Sequence, residues 1–205
     1  MYLYRDQAQK IIQEFKNDTI SELKKNHEFM ISLLTGDDWS LVIKSHALVE
    51  SIINYHIVAV TDESRLKYLI ERLPMHDKQI GKLLITKKYG LLDDSQRKFV
   101  IRLSEIRNKL VHNFENISFD FVEYVESLDS NQRKSWVRDV TWHAADYDAP
   151  EIWREIAIEN PKVAVWFSVL MFVSLTTAKT VEVSTMAKIR EIASDTVKKD
   201  FKGRV

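Results

Sequence analysis

The sequence predicts an all-α fold, and three observations carry that reading. Glycine and proline are scarce, at 4 and 3 residues in 205, whereas sheet-rich folds with many tight turns need more of both. Apolar residues recur at helical spacing along almost the whole chain. Helix-capping residues stand just ahead of those periodic runs, and Gly or Pro follows several of them.

The elements follow in order. Ala8, Ile11, Ile12 and Phe15 predict a first helix from about Tyr4 to Phe15. Asp18 or Thr19 can cap a second, with Glu22 completing a capping box after Thr19. Its apolar face is Leu23, Met30, Ile31 and Leu34, and Gly36 stops it. These two helices, within residues 1–35, read as an appended N-terminal hairpin. Asp37 or Asp38 caps a long third helix reaching about Val60, with Leu41, Ala47, Leu48, Ile52, Tyr55 and Ala59 on its apolar positions. Asp62 opens a shorter one that Pro74 ends, and a fifth runs from Lys78 to Tyr89 before Gly90. Asp93 or Asp94 caps a sixth, through about Phe114, with the stripe Phe99, Leu103, Ile106, Leu110 and Phe114. Phe119 to Leu128 is short and apolar and fits helix or strand, and the polar segment from Asp129 to Pro150 has no clear period. Pro161 suits the first position of a very apolar helix that Asn160 caps. The tail, residues 185–201, reads as a separate amphipathic helix. With no internal repeat and no low-complexity linker, 1–205 reads as a single helical domain.

Composition bounds the function. Hydrophobic residues at 45% and charged residues at 29% are ordinary for a globular core and too apolar for disorder. The absence of Cys excludes a disulfide framework and a thiolate metal site, and suits a reducing cytoplasm. The start, MYLYRDQAQK, lacks the basic and apolar regions of a signal peptide. Val163 to Ala178 carries no charge but spans roughly 24 Å, short of the ~30 Å hydrocarbon core, so it reads as a buried helix without membrane contact. Formal net charge is zero, so nucleic-acid contact has to come from a local patch.

Several chemistries have no residues to carry them. The glycines Gly36, Gly81, Gly90 and Gly203 are scattered, which leaves no phosphate-cradling loop. His27-Glu28 lacks the second histidine of a zinc-protease helix, and His143 with Asp146 is too small a set for a metal site. No metal and no cofactor is expected.

One segment stands out: Ser104-Glu105-Ile106-Arg107-Asn108-Lys109-Leu110-Val111-His112-Asn113, which places R-N-x-x-x-H at the end of a core helix. This pattern resembles the HEPN superfamily, defined by Arg, four to six residues and then His, with a polar residue after the Arg. The long helix bearing Ser45, His46, Ala47 and Glu50 resembles that family's first core helix, which lends a polar side chain to the site. KLLITKKYGLL ahead of IRNKLVHN, with Asn160-Pro161-Lys162 leading into an apolar helix, looks more narrowly like the mannitol operon repressor-like branch. The resemblance covers a core of about 38–180 and implies a HEPN-like helical bundle.

The resemblance also implies metal-independent RNA cleavage in active members. Arg107 would stabilise charge on the phosphoryl oxygens, His112 would move protons, and Asn108 would orient His112 or the phosphate. Glu50, Ser45, His46 and Asn113 are the supporting candidates. A helical wheel separates Arg107 and His112 by about 140°, while Asn108 and His112 share a face. A composite site therefore needs a long reach, a distorted helix end or a second chain, and family members pair across a two-fold axis. A structural role stays open: Arg107 can bond Glu50 and tie two helices together, and His112 can cap its own helix. Trp136, flanked by Arg133, Lys134 and Arg138, is the candidate patch for RNA or partner contact, with core packing as the alternative. The expectation is a cytoplasmic, homodimeric HEPN-type endoribonuclease, a toxin or defence effector held in check by an inhibitory or regulatory protein. The alternative is a non-catalytic, mannitol operon repressor-like regulator acting through protein–protein contact.

Overall fold

A computed structural model describes residues 4–61, 63–112, 117–147 and 151–202. Among them the chain is all-helical. Its α-helices are α1 (Arg5–Thr35), α2 (Asp38–Thr61), α3 (Lys67–Arg72), α4 (Lys82–Lys88), α5 (Asp94–Val111), α6 (Phe121–Glu126), α7 (Ser130–Val140), α8 (Glu151–Glu159) and α9 (Pro161–Lys202). Short 3-10 turns occupy Ser64–Leu66 and Trp142–Tyr147.

The expected N-terminal hairpin is one continuous helix. Asp18 and Thr19 do not interrupt it, and the Thr19 hydroxyl donates to the Phe15 carbonyl one turn back. A hydroxyl satisfied inside its own helix has no need to cap a new one. The tail is likewise continuous with α9, which runs 42 residues without a break. No Gly or Pro falls between Lys162 and Lys202 to stop it.

The caps of α2 and α5 fall where the sequence puts them, and Asp62 lies outside the described residues. Asp93 accepts from the Gln96 amide, while the Gln96 side chain accepts from the Asp93 amide, a reciprocal box that starts α5. Asp129 and Gln132 do the same for α7, so the polar segment after Leu128 holds a capped helix. Asp37, 2.7 Å from the Ser40 amide, caps α2. That leaves Asp38 free to bind α6 through the Phe121 amide at 2.8 Å and α9 through Lys162 at 3.2 Å. The fifth predicted helix begins late, at Lys82, because Asp77 accepts from the Gln79 and Ile80 amides and folds that stretch into a turn.

Three long helices frame the molecule. Asp38 meets Lys162, and His56 meets Thr180, so α2 and α9 run in the same direction. Trp166 donates to the Met30 carbonyl at 2.6 Å, and Lys188 lies 3.8 Å from Asp18, so α1 runs antiparallel to α9. A single core gathers Leu41, Val49 and Ile53 of α2, Phe99 and Leu103 of α5, Trp136 of α7 and Phe172 of α9. The apolar part of α9 is long enough to cross a membrane by length and composition, and half of it is buried against the other helices.

The inner face of α1 follows expectation in part. Met30 is buried as expected, with Leu33 beside it, whereas Leu23 and Ile31 remain exposed. The uninterrupted helix turns its packing seam away from the positions that a separate helix, starting at Thr19, would have buried.

Candidate functional site

Helix α5 carries the R-N-x-x-x-H segment because its other face is committed to the core through Phe99, Leu103, Ile106 and Leu110. Arg107 is half-buried at the edge of that stripe, Asn108 is exposed, and His112, the C-cap residue, is exposed at the helix end. The Arg107 guanidinium donates to the Asn108 side-chain oxygen at 3.1 Å. Asn108 is therefore placed to orient Arg107. Asn113 lies outside the described residues.

Behind Arg107 sits a polar cluster from three helices. His46 and Glu50, one turn apart on α2, face Ser104 and Arg107 of α5 and Lys82 of α4. The His46 ring nitrogen Nε2 lies 3.1 Å from Ser104 Oγ. The Ser104 hydroxyl gives its hydrogen to the Val100 carbonyl at 2.8 Å, so its oxygen must accept from His46. That assigns the Nε2–H tautomer and leaves Nδ1 as an acceptor. Burial pushes the His46 pKa down, and the Arg107 and Lys82 charges push the same way against Glu50. His46 is thus a neutral imidazole beside the Arg107 guanidinium. Ser45 is buried too, and its hydroxyl oxygen finds no hydrogen-bond partner among the described residues.

Glu50 does not bind Arg107. Its partner is Lys82, whose side chain is fully buried and also donates to the Glu71 carbonyl at 3.3 Å. A buried ammonium needs such compensation. Lys82 was missed at the sequence level; its one signal is a lysine within the first turn after Gly81, where the apolar run LLI begins.

The second candidate patch comes apart. Trp136 is fully buried, donates to the Ala157 carbonyl at 2.8 Å and packs edge-on against Tyr124 with centroids 5.6 Å apart. It offers no surface for a base to stack on. Arg133 donates to the Val125 and Glu126 carbonyls, both at 3.2 Å, and so closes the end of α6. Arg138 pairs with Asp139, which also receives Arg102 from α5. Lys134 is exposed. These basic residues mostly tie helices together, because α7 presents its tryptophan inward.

Comparison with protein-family models, with curated proteins and with solved structures finds no match.

Proposed function

We propose that the chain is a metal-independent endoribonuclease of the HEPN type, acting in the cytoplasm as a toxin or defence effector restrained by a partner protein. The observation that carries this reading is the end of α5, where a guanidinium oriented by its neighbour and an exposed histidine lie within five residues. In the cleavage step the ribose 2′-oxygen attacks the adjacent phosphorus and loses its proton to a base. The 5′-oxygen leaves and takes a proton from an acid, which generates a 2′,3′-cyclic phosphate. His112 can serve in one or both proton transfers. Arg107 neutralises charge gathering on the phosphoryl oxygens, and its fixed orientation lowers the reorganisation this requires. Neutral His46 backs the guanidinium without adding a competing positive charge.

Arg107 and His112 leave the helix in directions about 140° apart, so the reading includes a homodimer in which two α5 ends combine. Cleavage of a fluorescent RNA in the presence of a chelator tests it. Activity that disappears in His112→Ala supports the assignment, and undiminished activity in folded His112→Ala removes it.

One observation favours the regulator as a second reading. On α1, Ile12 and Ile20 are 56% and 52% exposed, and Leu23 and Ile31 repeat them eleven residues on at 37% and 48%. Eleven residues make close to three helical turns, so these side chains recur along one strip that a protein partner could cover. Expression that slows host growth speaks for the nuclease, and growth that is unaffected speaks for the regulator.

A further inference from the structure

Farther along α2, no candidate residue was expected, yet the surface is concave there. A cleft of about 490 Å³ opens between the C-terminal half of α2, the turn at Gly90-Leu91 and the middle of α9. His56 stands in its wall. The residue is 3% exposed, and its Nδ1 lies 2.7 Å from Thr180 Oγ1. The Thr180 hydroxyl gives its single hydrogen to the Thr176 carbonyl at 2.7 Å, so Thr180 accepts from His56 and the proton sits on Nδ1. The second ring nitrogen, Nε2, is then a bare acceptor. It has no partner among the described residues, yet it is not one of the polar atoms sealed in the core, and the ring lines the cleft.

The remaining lining is complementary to one ligand class. Lys179, Glu182, Met186 and Arg190 follow at spacings of three and four along α9, so they share the face turned to the cleft. Lys179, Glu182 and Arg190 form no side-chain hydrogen bond or ion pair among the described residues. Leu91, Val183 and Met186 give apolar surface beside them. Lys179, Glu182, the neutral acceptor of His56 and an apolar wall, all within two turns of α9 or facing them, match the parts of an amino-acid zwitterion; Arg190 stands about 16 Å along the helix from Lys179.

We propose that this cleft binds a free α-amino acid with an apolar side chain. Its carboxylate is held by Lys179, and its ammonium donates to Glu182 and to Nε2 of His56. The apolar side chain lies on Leu91, Val183 and Met186. The unprotonated Nε2 discriminates: it accepts from an ammonium and has nothing to donate to a second carboxylate. A cleft of this volume is in the ordinary range for small-molecule sites. The site is independent of the α5 residues, so its fate does not depend on the ribonuclease reading.

The test is isothermal titration of the full chain with L-leucine, N-acetyl-L-leucine and L-leucinamide. Leucine should bind saturably. Acetylation, which removes the ammonium, and amidation, which removes the carboxylate, should each weaken binding about tenfold or more, the usual worth of a charged hydrogen bond. Lys179→Gln, at an exposed position, should weaken leucine similarly while thermal melting stays unchanged, and Arg190→Gln, equally exposed but about 16 Å along the helix, should leave leucine binding within about twofold. Glu182→Gln should weaken leucine and leave N-acetyl-leucine unaffected. Nitrogen-15 spectra should show the His56 Nε2 resonance moving on titration while the Nδ1–H tautomer persists. No saturation at roughly 10 mM leucine, equal binding of all three compounds, or binding indifferent to Lys179→Gln would each overturn the proposal.

Discussion

Lys82 and Glu50 form an ion pair in which the lysine side chain is fully buried and the carboxylate is 34% exposed. The pair joins the first turn of α4 to the middle of α2, and the Glu71 carbonyl takes a second hydrogen from the ammonium. Removing only the acid strands a charge in the interior. Glu50→Ala should therefore cost about 3 kcal/mol, the lower end of the range for a broken buried pair because Glu50 reaches water. Lys82→Met combined with Glu50→Leu should regain most of that loss, since an apolar pair of similar volume carries no desolvation penalty. Urea unfolding of the single and double variants checks both statements.

The same pairing changes what Arg107 variants report. An Arg107–Glu50 bond would have made Arg107→Ala a folding mutation. With Glu50 held by Lys82 and Arg107 bound to exposed Asn108, Arg107→Ala should shift stability by no more than about 1 kcal/mol. His112→Ala, at an exposed helix end, should do no more. If RNA is cleaved, both folded variants should lose about 10²–10⁴-fold in rate, the usual worth of a general acid or base or an electrostatic stabiliser. Single-turnover cleavage at matched folded fraction reads this directly.

Acid should destabilise the protein before its carboxylates titrate. Burial, aided by the Lys179 charge, pushes the His56 pKa down to about 4, and burial alone does the same to His143. The unfolded chain takes up these protons near the ordinary histidine value of about 6.5, while the folded protein resists until about 4. The stabilisation is therefore complete above roughly pH 6.5 and declines as pH falls toward 4. The slope approaches about 1.4 kcal/mol per pH unit for each histidine. Urea midpoints at successive pH values between these limits should fall, and His143→Phe, which keeps a ring beside Trp153 and Phe167, should flatten the decline.

Gly81 and Gly90 should respond differently to alanine. A Cβ at Gly81 would sit 2.3 Å from the Asp77 amide nitrogen and 2.6 Å from its carbonyl oxygen, so the turn that positions Lys82 must open. Gly81→Ala should cost about 1–3 kcal/mol. Gly90 has open space around it but a φ of +64°, and Gly90→Ala should cost only about 1–2 kcal/mol, the left-handed penalty of a side chain. Thermal melts of the two variants read both losses.

Trp136 offers a test of the abandoned surface patch. Trp136→Phe leaves the Ala157 carbonyl without its buried donor and should cost about 1–3 kcal/mol. RNA affinity of the folded variant should be unchanged, as measured by fluorescence anisotropy. A loss of affinity at unchanged stability would return the tryptophan to the surface.

The sequence by itself determined the all-helical class, because scarce glycine and proline and a recurring period are local properties of the chain. It also put the start of α9 at Pro161 and that of α5 at Asp93 or Asp94, since a helix start is set within a few residues. It placed Arg107, Asn108 and His112 on one helix end for the same reason. Only the tertiary structure decided that Glu50 binds Lys82, that Trp136 points inward and that His56 faces a cleft with Lys179 and Arg190. These partners stand tens of residues or more apart, and a lysine or histidine in sequence looks the same whether a carboxylate or water awaits it. The unbroken lengths of α1 and α9 belong to the same class. A threonine or aspartate can start a helix or ride within one, and the antiparallel packing of these two helices along their length settles the choice.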